Sequence, residues 1–164
     1  MLGIQALGLI AFLILIIGFW AESKYTIIMM HLMANFLYAI HYFLLGAISG
    51  ASVCTLVVIS DFLLQNQTDK KALKRHGIIF SLIFLMTGLI TGTSVLSLMP
   101  VIAAIFTMYL LSKEDANEVR LGMVFVALMW SAYGFIVKSY VVFVTELIFA
   151  ISNVNAYNKY KKDR

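Results

Sequence analysis

An all-α membrane protein of seven transmembrane helices, built as two parallel triple-helix bundles joined by a linker helix (3+1+3), is the fold this sequence predicts. Three observations predict it: an excess of apolar residues, a one-sided distribution of lysine and arginine, and a repeat at an offset of 92 residues. Of the 164 residues, 62% are hydrophobic and 12% charged, whereas a soluble domain carries roughly a quarter charged residues. Too few polar residues are available to cover a water-facing surface, so lipid has to cover most of the outside.

Crossing the hydrocarbon takes about 20 mostly apolar residues. Seven segments qualify, approximately Leu2 to Trp20, Tyr25 to Gly46, Ala51 to Asn66, Gly77 to Gly92, Val95 to Ser112, Val119 to Val137 and Ser139 to Tyr157. The first is not a cleavable signal peptide, because it lacks a basic leader and is followed by Glu22 and Lys24 rather than a small-residue cleavage site. The third and fourth are short. The segments divide the chain into a first bundle (1–66), a basic cytoplasmic loop with a linker helix (67–93), a second bundle (94–158) and a basic cytoplasmic tail (159–164).

Counting helices assigns each loop to a side, and the basic residues test the count independently. Eleven of the twelve Lys and Arg fall on one side: Lys24, the group Lys70, Lys71, Lys74 and Arg75, then Lys113 and Arg120, and finally Lys159, Lys161, Lys162 and Arg164. Lys138 alone falls on the other. Merging two spans would move the later basic loops across and destroy the bias. The N-terminus is therefore expected outside and the C-terminus in the cytoplasm. The net charge of +4 is confined to short loops and the tail, without the extended groove that nucleic acid requires. Cys54, the one cysteine, excludes an internal disulfide and reads as a small packing residue.

Setting residue i against i + 92 aligns helices one to three with helices five to seven without a gap. It matches Ile10 and Ala11 with Ile102 and Ala103, Glu22 with Glu114, Phe43 with Phe135, Ile59 and Ser60 with Ile151 and Ser152, Asn66 with Asn158, and Lys70 with Lys162. Each half has a charged first loop, a nearly uncharged second loop and a basic exit, and the odd fourth helix gives both halves the same orientation. Parallel repeats of this kind occur in alternating-access carriers, whose site lies between the halves near midplane.

The runs Gln5-Ala6-Leu7-Gly8-Leu9-Ile10-Ala11-Phe12-Leu13, His41-Tyr42-Phe43-Leu44-Leu45-Gly46 and Leu98-Met99-Pro100-Val101-Ile102, with the spaced Glu146 and Asn153, resemble the bacterial inner membrane protein YgjV family over nearly the whole chain. The resemblance implies location in the bacterial inner membrane. It also implies a likeness to the SWEET, PQ-loop and PnuC (MtN3-like) group, whose triple-helix bundles carry sugars, amino acids or vitamin precursors. The chain departs from that group in having no Pro-Gln pair and Pro100 as its only proline.

Ionisable groups inside a bilayer are costly and face the bundle interior or water, so their positions are the best site clues. On the second helix His31, Asn35, Tyr38 and Tyr42 share one face. Two readings fit this stripe: a wall facing a solute, with Asn35 offering a donor and an acceptor, or hydrogen bonding that glues helices together. His31 and Asp61 are expected at similar depths, roughly 8 to 9 Å inside the cytoplasmic edge. They would form either a protonatable pair that couples to movement or a structural hydrogen bond at the membrane edge. Glu146 is the deepest acid, ~10 Å from the outer edge, where an unpaired charge is costly and protonation, hydration or a partner is required. Glu146 and Asn153 lie on one face, Ser60-Asp61 corresponds to Ser152-Asn153 under the repeat, and Tyr38 corresponds to Trp130. The last pair could sandwich a ring, although such residues also serve as interface anchors or core filler. Pro100 is a candidate hinge and, with Gly46, Gly88 and Gly92, a source of bending or close packing.

No metal or cofactor is expected, since one histidine and one carboxylate fall short of the ligands zinc takes. No nucleophile, base and orienter stand at recognisable spacing for an enzyme. The leading expectation is a small-solute carrier or facilitator with its site at Asn35, Tyr38, Trp130, Glu146 and Asn153. Its partners would be the lipid bilayer and a small polar solute, with a homo-oligomer left open. The competing expectation is a non-transporting membrane interaction or assembly protein. Topology is directly testable: a fluorescent protein fused after Arg164 should glow and alkaline phosphatase fused there should be silent, with both signals reversed for fusions in the loop at Lys138. The opposite result at either position would overturn the seven-span count.

Overall fold

The computed structural model of the protein describes residues 2–19, 23–92, 94–110, 113 and 116–162. Among them the chain is all-helical: α1 (Leu2–Phe19), α2 (Lys24–Leu44), α3 (Ile48–Leu64), α4 (Lys70–Thr91), α5 (Met99–Leu110), α6 (Ala116–Ile136) and α7 (Tyr140–Lys162), with one turn of 3-10 helix (Val95–Leu98) before α5. Four helices are long and apolar enough to cross a membrane, at Tyr25–Leu44, Lys70–Thr91, Asn117–Ile136 and Tyr140–Lys159. Leu2–Ile17, Ile48–Leu64 and Val95–Leu110 are shorter apolar helices. Trp20, Glu22, Ser112, Glu114 and Arg164, which enter the sequence-predicted boundaries, repeat and charge count, lie outside the described residues.

The largest departures from the expected boundaries are at three helices. The fourth helix is not short: it has 22 residues and begins at Lys70 rather than Gly77. Lys and Arg are good helix formers, and Asp69 caps the helix by accepting hydrogen bonds from the backbone N–H groups of Lys71 and Ala72, both at 3.2 Å. The basic cluster therefore stands on the helix and not in a loop. The fifth helix starts with the 3-10 turn, where the Ser94 and Ser97 side chains cap each other's backbone. Pro100 falls in the first turn of α5, where its missing N–H costs nothing. The seventh helix runs on to Lys162, because a helix can continue past the apolar stretch into water.

Consecutive helices pack on one another, α4 contacting α3, the 3-10 turn and α5; α3 also packs on α5, and α1 on α7. These contacts trace a closed circuit α1–α2–α3–α5–α6–α7, with α4 laid outside the α3–α5 junction. Its outward face carries Leu82, Met86, Leu89 and Ile90, all exposed, as a lipid-covered surface would. Inside, three apolar clusters meet at one side chain. Trp130 packs against a first cluster containing Tyr38, Tyr42, Cys54 and Tyr133, a second formed by Phe80, Phe84, Val101 and Met108, and a third formed by Ala103, Leu110 and Val126.

The α2–α3 and α6–α7 turns repeat at the offset of 92. Gly46 and Lys138 both have positive φ, 72° and 60°. The N–H groups of Gly46 and Lys138 donate to the carbonyls of Phe43 and Phe135, and those of Ala47 and Ser139 to Tyr42 and Gly134. The same end of the molecule is tied across the two halves. Gln5 on α1 donates to the Lys138 carbonyl at 2.7 Å and accepts from the Val141 N–H at 3.3 Å. At the corresponding place on the other side, Ser49 donates to the Ser97 carbonyl.

Gly50, at the start of α3, permits the closest of these approaches. Its N–H donates to the Tyr133 hydroxyl at 3.0 Å, and a Cβ there would stand 2.7 Å from the Tyr133 ring and 3.2 Å from Tyr42. Gly50→Ala should therefore lower stability by about 1–3 kcal/mol, and Tyr133→Phe by about 1 kcal/mol through loss of the hydrogen bond. Thermal melts in detergent measure both. An unchanged melt for Gly50→Ala would mean that this packing is not present.

Candidate functional site

On α7, Val142, Glu146 and Ala150 follow one another on a single face. Val142 and Ala150 are buried and Glu146 is half-buried. That face turns inward, with Val142 in the central cluster one turn from Glu146. The residues within electrostatic reach of its carboxyl are Tyr38 and Tyr42 of α2 and Cys54 of α3. Tyr42 stacks on Trp130 of α6 with ring centroids 5.8 Å apart and lies 5.6 Å from Tyr133 and 6.5 Å from Tyr38. Four helices, two from each half, thus converge on one acid and a group of aromatic rings.

The hydroxyls of Tyr38 and Tyr42 are buried without a hydrogen-bond partner, although Thr145 lies beside Tyr38. Leaving a hydroxyl unpaired away from water costs about 1–3 kcal/mol. Two such groups beside a carboxyl form a polar interior that the protein itself leaves unsatisfied. Cys54 and Glu146 are related by the offset of 92, as are Tyr38 and Trp130.

The sequence-predicted residues separate into two groups. Tyr38, Trp130 and Glu146 come together at the centre, but Tyr42 is the ring that stacks on Trp130. Asn35 and Asn153 do not join them. The Asn35 amide donates to the His31 carbonyl at 2.9 Å and to His31 Nε2 at 3.2 Å. With Nε2 accepting, the neutral ring carries its hydrogen on Nδ1, which donates to Asp61 at 2.6 Å. The structure thus brings His31 and Asp61 together, at the end opposite the Gly46 and Lys138 turns, with the His31 side chain 47% exposed and that of Asp61 15%. Asn153 donates to the Phe149 carbonyl of its own helix at 2.9 Å. The position on α6 that corresponds to His31 is Met123, which offers it no polar partner. Ser60 is fully buried and bonds His76 Nε2 at 2.8 Å, whereas its counterpart Ser152 is exposed. Pro100 is buried at the start of α5.

Sequence reasoning missed the contributions of His41 and Tyr133. His41 Nδ1 donates to the Ile4 carbonyl at 2.7 Å, and its Nε2 meets the Ser139 hydroxyl at 2.6 Å. These bonds join α2 to α1 and α7, while Tyr133 joins α6 to α3. His41 and Tyr133 correspond at the offset of 92, and a polar residue at both positions was the available signal. A separate apolar groove of about 660 Å³ opens between α2, α3 and α4, lined by Phe36, Ile40, Thr55, Leu56, Thr87 and Ile90 among others; none of the predicted site residues lines it. Among the described residues no group of three or more His, Cys, Asp or Glu is placed to hold a metal ion.

No curated protein and no solved structure matches the chain. The profile of one family, described as Imp-YgjV, bacterial inner membrane protein, matches residues 2–164. An apolar, all-helical chain matched along essentially its whole length therefore belongs to the YgjV family of bacterial inner membrane proteins.

Proposed function

We propose that the protein carries or facilitates passage of a small polar solute across the inner membrane, and that it is not an enzyme. In this reading all seven helices span in a 3+1+3 arrangement, with the N-terminus outside and the C-terminus in the cytoplasm. The observation that carries the proposal is the convergence of Glu146 with the unpartnered Tyr38 and Tyr42 hydroxyls where the two halves meet. A bilayer interior offers such groups no water, so a protein that keeps them unsatisfied bears a cost that ligand binding would recover.

The composition of the centre supports the same reading. An interior serving only to pack has 12 Phe and 9 Met available in this chain. The central cluster instead uses Tyr38, Tyr42, Tyr133, Trp130 and Cys54; Met99 is the one Met or Phe among its described members. Alternating access fits the placement of the bonds. Those of Gln5, His41, Ser49 and Gly50 tie the halves at the end where α1 begins, while the His31–Asp61 and Ser60–His76 bonds at the opposite end run within the first half and to α4. By the charge distribution the tied end is the outer one, so this is a conformation closed to the outside. The His31–Asp61 pair, its tautomer held by Asn35, is placed to exchange protons with the cytoplasm. The competing reading, a membrane interaction or assembly protein, makes no use of an unpartnered central carboxyl.

A thermal-shift screen of the detergent-purified protein against sugars, amino acids, nucleosides, amines and vitamin precursors tests the proposal. A solute at one hundred times its Kd should stabilise the wild type by about 2.7 kcal/mol. Tyr38→Phe and Glu146→Gln should lose that stabilisation and the matching flux into liposomes. A flat response from a well-folded protein across the whole screen would sink the carrier reading.

A further inference from the structure

The centre of the molecule contains one acid and no base. The groups facing Glu146 are the Tyr38 and Tyr42 hydroxyls of α2 and the Cys54 thiol of α3. Behind them stands Tyr133 of α6, tied to Gly50. His41, next to Tyr42, is occupied by Ile4 and Ser139, and the described residues of α1 include no ionisable side chain. No hydrogen bond or ion pair from the described residues reaches the Glu146 carboxyl. When ionised it is a negative charge in a bilayer interior without a counter-charge from the protein.

Ligand classes differ in how they meet that environment. An anion would find no positive charge to pair with. A sugar or other neutral polyol would satisfy the hydroxyls and leave the carboxyl a neutral acid, its capacity for charge unused. A bare metal ion would need further ligands that the described residues do not supply. An organic ammonium ion meets every feature: its charge pairs with the carboxylate, its N–H groups donate to the two tyrosine oxygens, and its carbon atoms and positive charge lie against aromatic rings. Tyr38 stands beside the carboxyl with Tyr42 as its ring neighbour, and Trp130 follows behind Tyr42.

We propose that the central site binds a small organic amine cation, with Glu146 as its counter-ion. The inference rests on the carrier reading and specifies its substrate class. An unpaired ion in a bilayer interior is costly, so the empty site holds the neutral acid. On binding, its O–H bond breaks, the proton passes to water and the carboxylate pairs with the ammonium, so one proton is exchanged for one cation and the charge of the site does not change. Proton and amine therefore compete for one group.

The test uses the full chain in nanodiscs, with primary alkylammonium ions from methylammonium to butylammonium and the neutral alcohols of matching length as controls. The expected result is thermal stabilisation by the cations and none by the alcohols. The apparent Kd should rise about tenfold for each pH unit below the titration of the carboxyl, and about one proton should be released per cation bound in weak buffer. Glu146→Gln should abolish binding and proton release. Should that variant fail to fold, the pH series and proton count on the wild type decide the question without it, and Glu146→Asp, which keeps the charge, should retain cation binding. Stabilisation by sugars or neutral amino-acid analogues with no pH dependence would overturn the amine assignment and leave the carrier reading standing. Silence towards cations, sugars and amino acids alike would remove both.

Discussion

The fold depends on the demand that polar groups taken out of water find partners inside the protein, and one contact meets that demand while setting the spacing of the two halves. The first N–H groups of a helix have no partner within it, and in lipid they cannot turn to water. At the start of α3 the Gly50 N–H is satisfied by Tyr133, a side chain from the other half. The bond requires the α6 ring to lie directly against the α3 backbone, which only a glycine permits. Tyr133 in turn supports Tyr42, and Tyr42 supports Trp130, the residue on which all three interior clusters converge. A cap on one helix is thus the origin of the aromatic arrangement at the centre.

The same demand is met symmetrically at the second crossing. His41 occupies the position in the first half that Tyr133 occupies in the second, and it too reaches the start of the last helix of the opposite half, at Ser139. Gln5 and Ser97 are another corresponding pair that holds the opposite half's turn. Each half therefore supplies the groups that terminate the other half's third helix. The ties are concentrated at one end, so they fix how the halves meet there while leaving their opposite ends to bonds of their own, such as His31 with Asp61.

The helices were legible because apolar length is a property of single segments, and a transmembrane helix satisfies its backbone by itself. At the offset of 92 the turns at Gly46 and Lys138 match in φ and in hydrogen bonding. Boundaries governed by capping were not legible. Apolarity stops at Gly77, yet Asp69 starts α4 seven residues earlier, and hydropathy cannot see a cap. The site was legible by depth but not by partner. Tyr38, Trp130 and Glu146 converge because their faces point inward, which periodicity reveals. Asn35 and Asn153 share those faces and are diverted: Asn35 finds His31 one turn away, and Asn153, facing a half with Met123 where the other has His31, bonds its own backbone. Helical periodicity specifies a direction, whereas the choice among partners along it depends on which side chains the other helices bring.

The two halves share their turns but not their centre, and that difference has a chemical consequence. At a repeat axis corresponding residues face each other. A fully symmetric chain with an acid at this position would therefore set two carboxyls together, which could not both ionise and would share one proton. Here the position opposite Glu146 is Cys54, small and buried. The exchange leaves a single carboxyl. On the proposed reading of the centre as an amine site, one ionisable acid means one unit of positive charge at a time, a proton or a cation, and the departure from symmetry at this pair of positions sets that limit.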